Sequence, residues 1–419
     1  MAPLADKLKA PFQAASRCRG CGSSKLHDAL YLGDQPLANS LKAGPLDEEL
    51  KVPLTLSFCS KSGLAQLKET VRKEILFSHY VWVSGTAAAT QAYAKLFVRR
   101  VLKTCPIKPE DLLVEIASND GTFLKAFMGA GLRNVLGVDP ASNLAEIANR
   151  AGARTLNRFW DKAVAGEIRA ASGKARLLIA RNVIPHVSEL SEVLGGVELA
   201  LDKEGVGIFE FHYAGDILKG LQYDSIYHEH LCYFSLHSMS KLLEGYGLFP
   251  FHVESSPISG GGVVLYFSKR RRPPSKEFLR LKKDEDASEV NTLQAWTEFA
   301  RKSREHKKKS LALLSSISGK RVLGFGCSAR SSTYLNFCGI GADRLGAIID
   351  SNPLKQGRYA PGSSIPIVSL KEGLVLKPDF IFILAWNFKD EVVEQCRSAG
   401  FRGRFLVALP NEPKIINPR

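Results

Sequence analysis

Near the middle of the chain four consecutive residues, Tyr227-His228-Glu229-His230, can each give, take or share a proton. Only nine histidines occur in the whole sequence, and two of them fall here, with Tyr233 and Phe234 just beyond. Imidazole titrates near neutral pH, so a histidine beside a carboxylate and a phenol suits general acid–base work. Any one of these side chains would ordinarily be a structural hydrogen bond; the four together point to a site. Cysteine is the second chemistry-bearing type. Of eight cysteines only Cys18 and Cys21 are closely paired. In a large chain without a secretory signal, these read as metal ligands or core thiols before disulfides.

Two turns carry the marks of ligand loops. The first follows an apolar strand and reads Glu115-Ile-Ala-Ser-Asn119-Asp120-Gly121, with Asp139 at the end of the next strand. An acid there can accept hydrogen bonds from both hydroxyls of a ribose. A dinucleotide turn would be rich in glycine, to seat a pyrophosphate on the helix N-terminus. This one has a single glycine and two acidic side chains. They would repel a pyrophosphate and suit a cationic ligand such as S-adenosylmethionine. The second turn, Gly324-Phe-Gly326-Cys-Ser-Ala329, matches G-x-G-x-x-A, with Asp350 closing the following strand. It invites a dehydrogenase reading, against which stands a Rossmann-shaped domain that binds no dinucleotide.

The elements around these turns form three blocks. Residues 1–75 hold the paired cysteines, turn residues around LGDQPLANS and one apolar alternation, VPLTLSF; they predict a small β module. Residues 76–268 alternate strands (LLVEI, VLGV, RLLIA, GVGIFEF, VVLYF) with helical segments, which predicts a parallel sheet flanked by helices. Residues 311–419 repeat the alternation in RVLGFG, LGAIID, FIFILA and RFLVAL and predict a second, smaller α/β sheet. Between them, 269–310 form a charged helical connection. Of a net charge of +15, residues 269–309 supply +7, from 14 basic and 7 acidic side chains. With almost no aromatic residues for base stacking, that stretch reads as a solvated face, not a nucleic-acid patch. The composition, 45% apolar and 24% charged, is that of a globular chain. No apolar run approaches membrane-spanning length, and the N-terminus lacks a signal-peptide core. The expectation is a cytoplasmic protein without membrane or nucleic-acid partners.

In order along the chain, CRGCGS (18–23), LGDQPLANS (32–40), VEIASNDG (114–121), RNVIPHVSEL (181–190), YDSIYHEHLCYFSL (223–236), SGGG (259–262), IDSNPLKQGRYAPGSSIPI (349–367) and ILAWNF (383–388) form a specific combination. The sequence resembles, over nearly its whole length, the S-adenosylmethionine-dependent sugar C-methyltransferases. Those enzymes methylate a ring carbon, typically C-3, of a TDP-linked 4-keto-deoxysugar. The resemblance implies an N-terminal zinc-binding module, a central Rossmann-like methyltransferase sheet and a C-terminal Rossmann-like domain that helps hold the nucleotide-sugar substrate.

It also implies roles. His230 would be the general base, assisted by Glu229 and Tyr227. Glu115, Ala117, Asn119, Gly121, Asp139, Asn182 and His186 would surround the methyl donor. Tyr80 and Ser84 would lie near the sugar, and Lys355 and Arg358 would meet the diphosphate, with Trp386 and Asn387 also at matching positions. Arg330 stands where the family usually has lysine. Cys18, Cys21 and Cys59 would hold Zn²⁺, but the family's second Cys-x-x-Cys pair reads Cys59-Ser-Lys-Ser62. A serine hydroxyl is a poor substitute for a thiolate. The alternatives are a shell completed by His27 or by water, or a zinc that is bound weakly or not at all. Other readings are methylation of a different enolisable ketone, an NAD(P)-dependent oxidoreductase using the third block, and a non-catalytic scaffold.

Overall fold

A computed structural model describes residues 10–77, 83–86, 88–257 and 260–417. Its N-terminal part is built from short strands. β1 (Phe12–Ala14) pairs with β5 (Glu69–Val71), while β2 (Leu26–Pro36), β3 (Lys51–Cys59) and β4 (Ala65–Leu67) form an antiparallel sheet. Leu54, Leu56 and Phe58 of β3 are buried at its centre. β2 runs through part of LGDQPLANS, a segment the sequence marks as turns. Register shifts against β3 between Asp28 and Leu30 and between Tyr31 and Asp34 let the strand absorb these turn-forming residues as bulges.

The central sheet comprises β6 (Leu113–Ile116), β7 (Val135–Val138), β8 (Thr155–Leu156), β9 (Ala175–Arg181) and β10 (Leu201–His212). Past the two-residue β11 (Cys232–Tyr233), β12 (Phe249–Ser256) and β13 (Gly262–Ser268) complete it. The strand order is β12-β13-β10-β9-β6-β7-β8, with β13 antiparallel to both neighbours and the rest parallel. The order reverses between β6 and β9, which is where ligands sit on such sheets. The runs LLVEI, VLGV and RLLIA are buried on both faces, as strands under two helical layers must be.

The C-terminal sheet has β14 (Val322–Phe325), β15 (Ile348–Ile349), β16 (Ile367–Val368), β17 (Phe380–Ile383) and β18 (Arg404–Val407), all parallel, with β19 (Lys414–Ile416) antiparallel at one edge. The charged connection forms two helices, Lys276–Ser288 and Leu293–Ser316. The second is not solvated all round: Trp296, Phe299 and His306 are buried. Its basic residues lie on the other faces, several in i,i+3 and i,i+4 pairs such as Arg301 with Glu298 and Glu305. The fold is α/β with two Rossmann-like sheets and a small N-terminal β module.

The parts are stitched together by the segment that carries the histidines. β11 leaves the central sheet and pairs with β4, so two residues just past His230 complete the N-terminal sheet. On its other side, N-terminal Lys42 exchanges backbone hydrogen bonds with Tyr359 of the C-terminal part. No helix among the described residues is long and apolar enough to cross a membrane.

Candidate active site

The histidine segment divides its side chains between two jobs. His230 Nδ1 lies 2.9 Å from the Ser225 carbonyl, which can only accept. Nδ1 therefore carries the hydrogen, leaving the Nε2 lone pair for the Tyr227 hydroxyl at 2.7 Å. The two rings sit 4.0 Å apart, centroid to centroid. Burial, then the nearby His186 and His212, holds the His230 imidazolium well below its ordinary pKa, so the ring is neutral at pH 7. Burial likewise pushes the Tyr227 phenol up, and it remains a donor. His228 turns the other way. It is buried, and its Nε2 reaches the Val52 and Pro53 carbonyls of β3 at 3.1 and 3.2 Å. It clamps the segment to the N-terminal sheet and is not placed to act on a substrate beside His230. Glu229 accepts from Asn39 Nδ2 at 2.5 Å, another tie to the N-terminal module.

His186 packs edge-on against His230 at 4.8 Å and against Phe77 at 5.7 Å. Burial lowers its pKa to about 4. Its Nδ1 is buried with no hydrogen-bond partner among the described atoms. It follows Asn182, at the end of β9, whose backbone is held left-handed at φ 50°.

The acidic turn lies at the C-terminal ends of β6 and β7. Ala117, Asn119 and Gly121 all have positive φ, 55°, 54° and 74°. Gly121 has a second constraint: a Cβ there would fall 2.7 Å from that of Ala153. Asp139 accepts from the Asn119 and Ala141 backbone N–H groups at 2.8 and 2.9 Å, and burial raises its pKa. The helix Thr122–Gly129 opens on Gly121, and Asp120 Oδ1 accepts from the Thr122 N–H at 3.2 Å and from its hydroxyl at 2.6 Å. Glu115 Oε2 and Ser118 Oγ are buried without hydrogen-bond partners among the described residues. Burial pushes the Glu115 carboxyl up to about 8, against the pull of Arg181. Buried oxygens with no partner among the described residues, in a turn that also carries Asp120 and Asp139, fit a polar, cationic donor molecule. Ser84 crosses this turn: its backbone N–H donates to Asn119 Oδ1 at 2.9 Å, and that of Gly85 to Asp120 Oδ2 at 3.0 Å. Tyr80 lies outside the described residues.

The C-terminal turn is occupied by its own side chains. Asp350 accepts from the Cys327 and Asn352 N–H groups, both at 2.8 Å. Lys355 sits 3.5 Å from the Asp350 carboxylate and donates to the Cys327 carbonyl at 2.5 Å. Arg358 is exposed. Trp386 and Arg330 converge on Asp224, a grouping for which the sequence carries no local signal.

Three family models match: "Putative zinc binding domain" over residues 18–77, "Methyltransferase domain" over 88–252 and "C-methyltransferase C-terminal domain" over 257–410. C-methyltransferase NovU from Streptomyces niveus is 33% identical over 410 residues, 96% of each chain. The chain belongs to the C-methyltransferase family. It is an S-adenosylmethionine-dependent C-methyltransferase acting on a small molecule. Among solved structures it is similar to magnesium protoporphyrin IX methyltransferase (ChlM) from Synechocystis PCC 6803. That match has 12% identity and a TM-score of 0.31, covering 42% of this chain and 78% of that one. An S-adenosylmethionine-dependent methyltransferase from Anabaena variabilis gives 17% identity and a TM-score of 0.35, covering 47% and 91%.

In this C-methyltransferase the zinc-binding module keeps three thiols together. The ligand atoms of Cys18, Cys21 and Cys59 all lie within 4.8 Å of one another, and Cys21 Sγ is 3.7 Å from Cys59 Sγ. The buried hydroxyl of Ser62 completes the group, 3.3 Å from Cys18 Sγ. His27 is not part of the cluster; its Nε2 lies 3.4 Å from Ser60 Oγ. Three thiolates and one oxygen fit Zn²⁺, with fewer soft donors than a four-cysteine site. This module borders the histidine segment directly: the Leu67 N–H donates to the Leu231 carbonyl.

Proposed function

We propose that this C-methyltransferase acts on the carbon α to the ketone of a TDP-linked 4-keto-deoxysugar, with His230 as the general base. The observation that carries the reading is the fixed tautomer of His230, hydrogen on Nδ1 and lone pair on Nε2, in a ring kept neutral by its surroundings. When the substrate ketone binds, Nε2 takes the α-proton and the C–H electron pair passes into the enolate. Tyr227, a phenol that stays protonated, donates to the enolate oxygen where charge develops. S-adenosylmethionine supplies an electrophilic methyl group on a sulfonium. The acidic turn, with Glu115, Asn119, Gly121 and Asp139, would hold that donor, and Asn182 and His186 would border it. The donor held there would supply its methyl group to the enolate carbon, and His230 then releases its proton to water. Arg358, exposed on the C-terminal part, is the cation offered to the diphosphate; Lys355 is already paired with Asp350.

Replacing His230 tests the reading. His230→Ala should lower turnover on a TDP-linked 4-keto-deoxysugar by roughly 10²–10⁴ while leaving S-adenosylhomocysteine affinity nearly unchanged. It should also abolish donor-independent exchange of the substrate's α-proton into deuterated water. Near-normal turnover and exchange would exclude His230, and Tyr227 would be the next base to test.

A further inference from the structure

The turn that immediately precedes the histidine segment belongs by sequence to the central block, yet it is held from the C-terminal one. Asp224 is almost wholly buried. Its carboxylate accepts two hydrogen bonds from Arg330, Nε to Oδ2 and Nη2 to Oδ1, both at 2.9 Å, and a third from Trp386 Nε1 at 2.9 Å. Arg330 also reaches Gln222 Oε1 at 3.2 Å and lies over the Trp386 ring, 4.7 Å from its centroid. The neighbours are gripped too. Tyr223 donates to His306 Nδ1 at 2.8 Å and stacks on Tyr334, while Thr333 donates to the Ile226 carbonyl at 3.0 Å. Arg330, Thr333 and Tyr334 lie on one helix, Ala329–Cys338, the helix that opens after the G-x-G-x-x-A turn.

The next residue after Asp224 is Ser225, and its carbonyl is the acceptor that keeps the hydrogen of His230 on Nδ1. A planar guanidinium fork on a carboxylate fixes orientation as well as distance. A charge pair this deep persists only when its hydrogen bonds are complete. Gly260 shows how closely the grip is packed: its φ is 83°, and a Cβ there would lie 2.5 Å from the Trp386 ring. We propose that Arg330, Asp224 and Trp386 are positioning residues that hold the Ser225 carbonyl under His230, so that the C-terminal domain sets the tautomer of the base. The first helix of that domain, which in a dehydrogenase would face a dinucleotide, here orients the catalytic turn instead. The proposal rests on the reading of His230 as base for its effect on rate, but not for its effect on tautomer.

The test uses the full chain labelled with ¹⁵N-histidine, in wild-type form and as Arg330→Gln and Trp386→Phe. Long-range ¹H–¹⁵N spectra at neutral pH should show His230 as a single Nδ1–H tautomer in the wild type. Arg330→Gln should give a mixture of tautomers. Turnover on a TDP-linked 4-keto-deoxysugar should fall by roughly 10–100-fold, as small misplacements of catalytic groups do. The dissociation constant for S-adenosylhomocysteine should stay within about twofold of wild type. Turnover within about twofold of wild type, or a fallen turnover with an unmoved tautomer, would overturn the proposal. If Arg330→Gln loses S-adenosylhomocysteine binding because it fails to fold, Trp386→Phe decides, since it removes one donor and keeps an aromatic ring. A drop of roughly 3–10-fold with a detectable second tautomer is then expected, and no change in either overturns it. Should His230→Ala itself retain activity, the base assignment falls, and the tautomer spectra alone decide whether the grip does what is claimed.

Discussion

The two Rossmann-like sheets present nearly the same device, a strand, a glycine-bearing turn, a helix and an acid closing the next strand, and put it to different uses. In both, that acid accepts two backbone N–H groups, Asn119 and Ala141 for Asp139, Cys327 and Asn352 for Asp350. The difference lies in what else arrives. At Asp350 a lysine stands 3.5 Å away, and the helix beyond is closed by a capping box between Ser328 and Ser331. At Asp139 there is no such ion pair among the described residues. The helix there opens on Gly121 without a capping box, and Glu115 Oε2 is buried with no hydrogen-bond partner among the described residues where the other sheet has Gly324. On the proposal that the first turn holds the methyl donor, its polar groups are left for that ligand, while the second turn satisfies its own internally.

The largest expected effect comes from removing zinc. Structural zinc is worth about 10–16 kcal/mol in small zinc-finger peptides. Here the β2–β3–β4 sheet has its own apolar core, so the loss should be local. A strong chelator should raise amide exchange at Cys232 and Tyr233 and depress turnover, while Ile348–Asp350 at the C-terminal turn stay protected. Hydrogen exchange read by mass spectrometry checks this; equal exposure at both turns would break the comparison.

Glu115 gives the next effect. Its folded pKa, about 8, lies above the ordinary 4.5, so between those values the folded state holds a proton that the unfolded chain has released. Stability contributed by this group is therefore greatest below about pH 4.5 and declines as pH rises towards 8. Glu115→Gln should remove the decline. Its stability relative to wild type should grow across that window by a few kcal/mol at most, read from urea unfolding at pH 5 and pH 8. Parallel profiles would mean that Glu115 is ionised in the fold.

Exchanging the two acids sharpens the contrast directly. Asp139→Ala should weaken S-adenosylhomocysteine binding by about 1–3 kcal/mol, and Asp350→Ala should leave it within about twofold. Calorimetry decides, and an unchanged constant for Asp139→Ala would move the donor's ribose elsewhere. The smallest effect on ligand binding is expected at Lys355. Lys355→Met breaks a largely buried ion pair, which lowers stability, but it should create no NADH affinity. A thermal shift with NADH in wild type or variant would revive the oxidoreductase reading.

Much of the fold was legible because its strands are apolar runs of the right length. VLGV is β7 residue for residue, and RLLIA lies within β9. β12 escaped because Phe-Pro-Phe-His breaks alternation, and its register against β13 shifts between Pro250 and His252. The pairing of Tyr227 with His230 was readable from their closeness in the chain. The division of labour within the four-residue cluster was not, because what each side chain faces is set by the carbonyls of Val52 and Ser225, one of them 176 residues distant. Asp224, Arg330 and Trp386 each lie in a segment the sequence marks, but nothing local says that they meet; Arg330 and Trp386 stand 106 and 162 residues from Asp224.

The sharing of residues 222–233 between two distant partners bears on the order in which the enzyme comes into being. As the chain leaves the ribosome, β4 is made long before β11, so the N-terminal sheet waits for its last strand until the central sheet is largely synthesised. Asp224 waits longer still, because Arg330 and Trp386 emerge after it. An ionised carboxylate without its partners is better off in water than buried. The turn therefore has reason to stay open until the last hundred or so residues are complete. Catalytic competence would then be the final event of folding, and a truncated chain would have no route to a correctly oriented base.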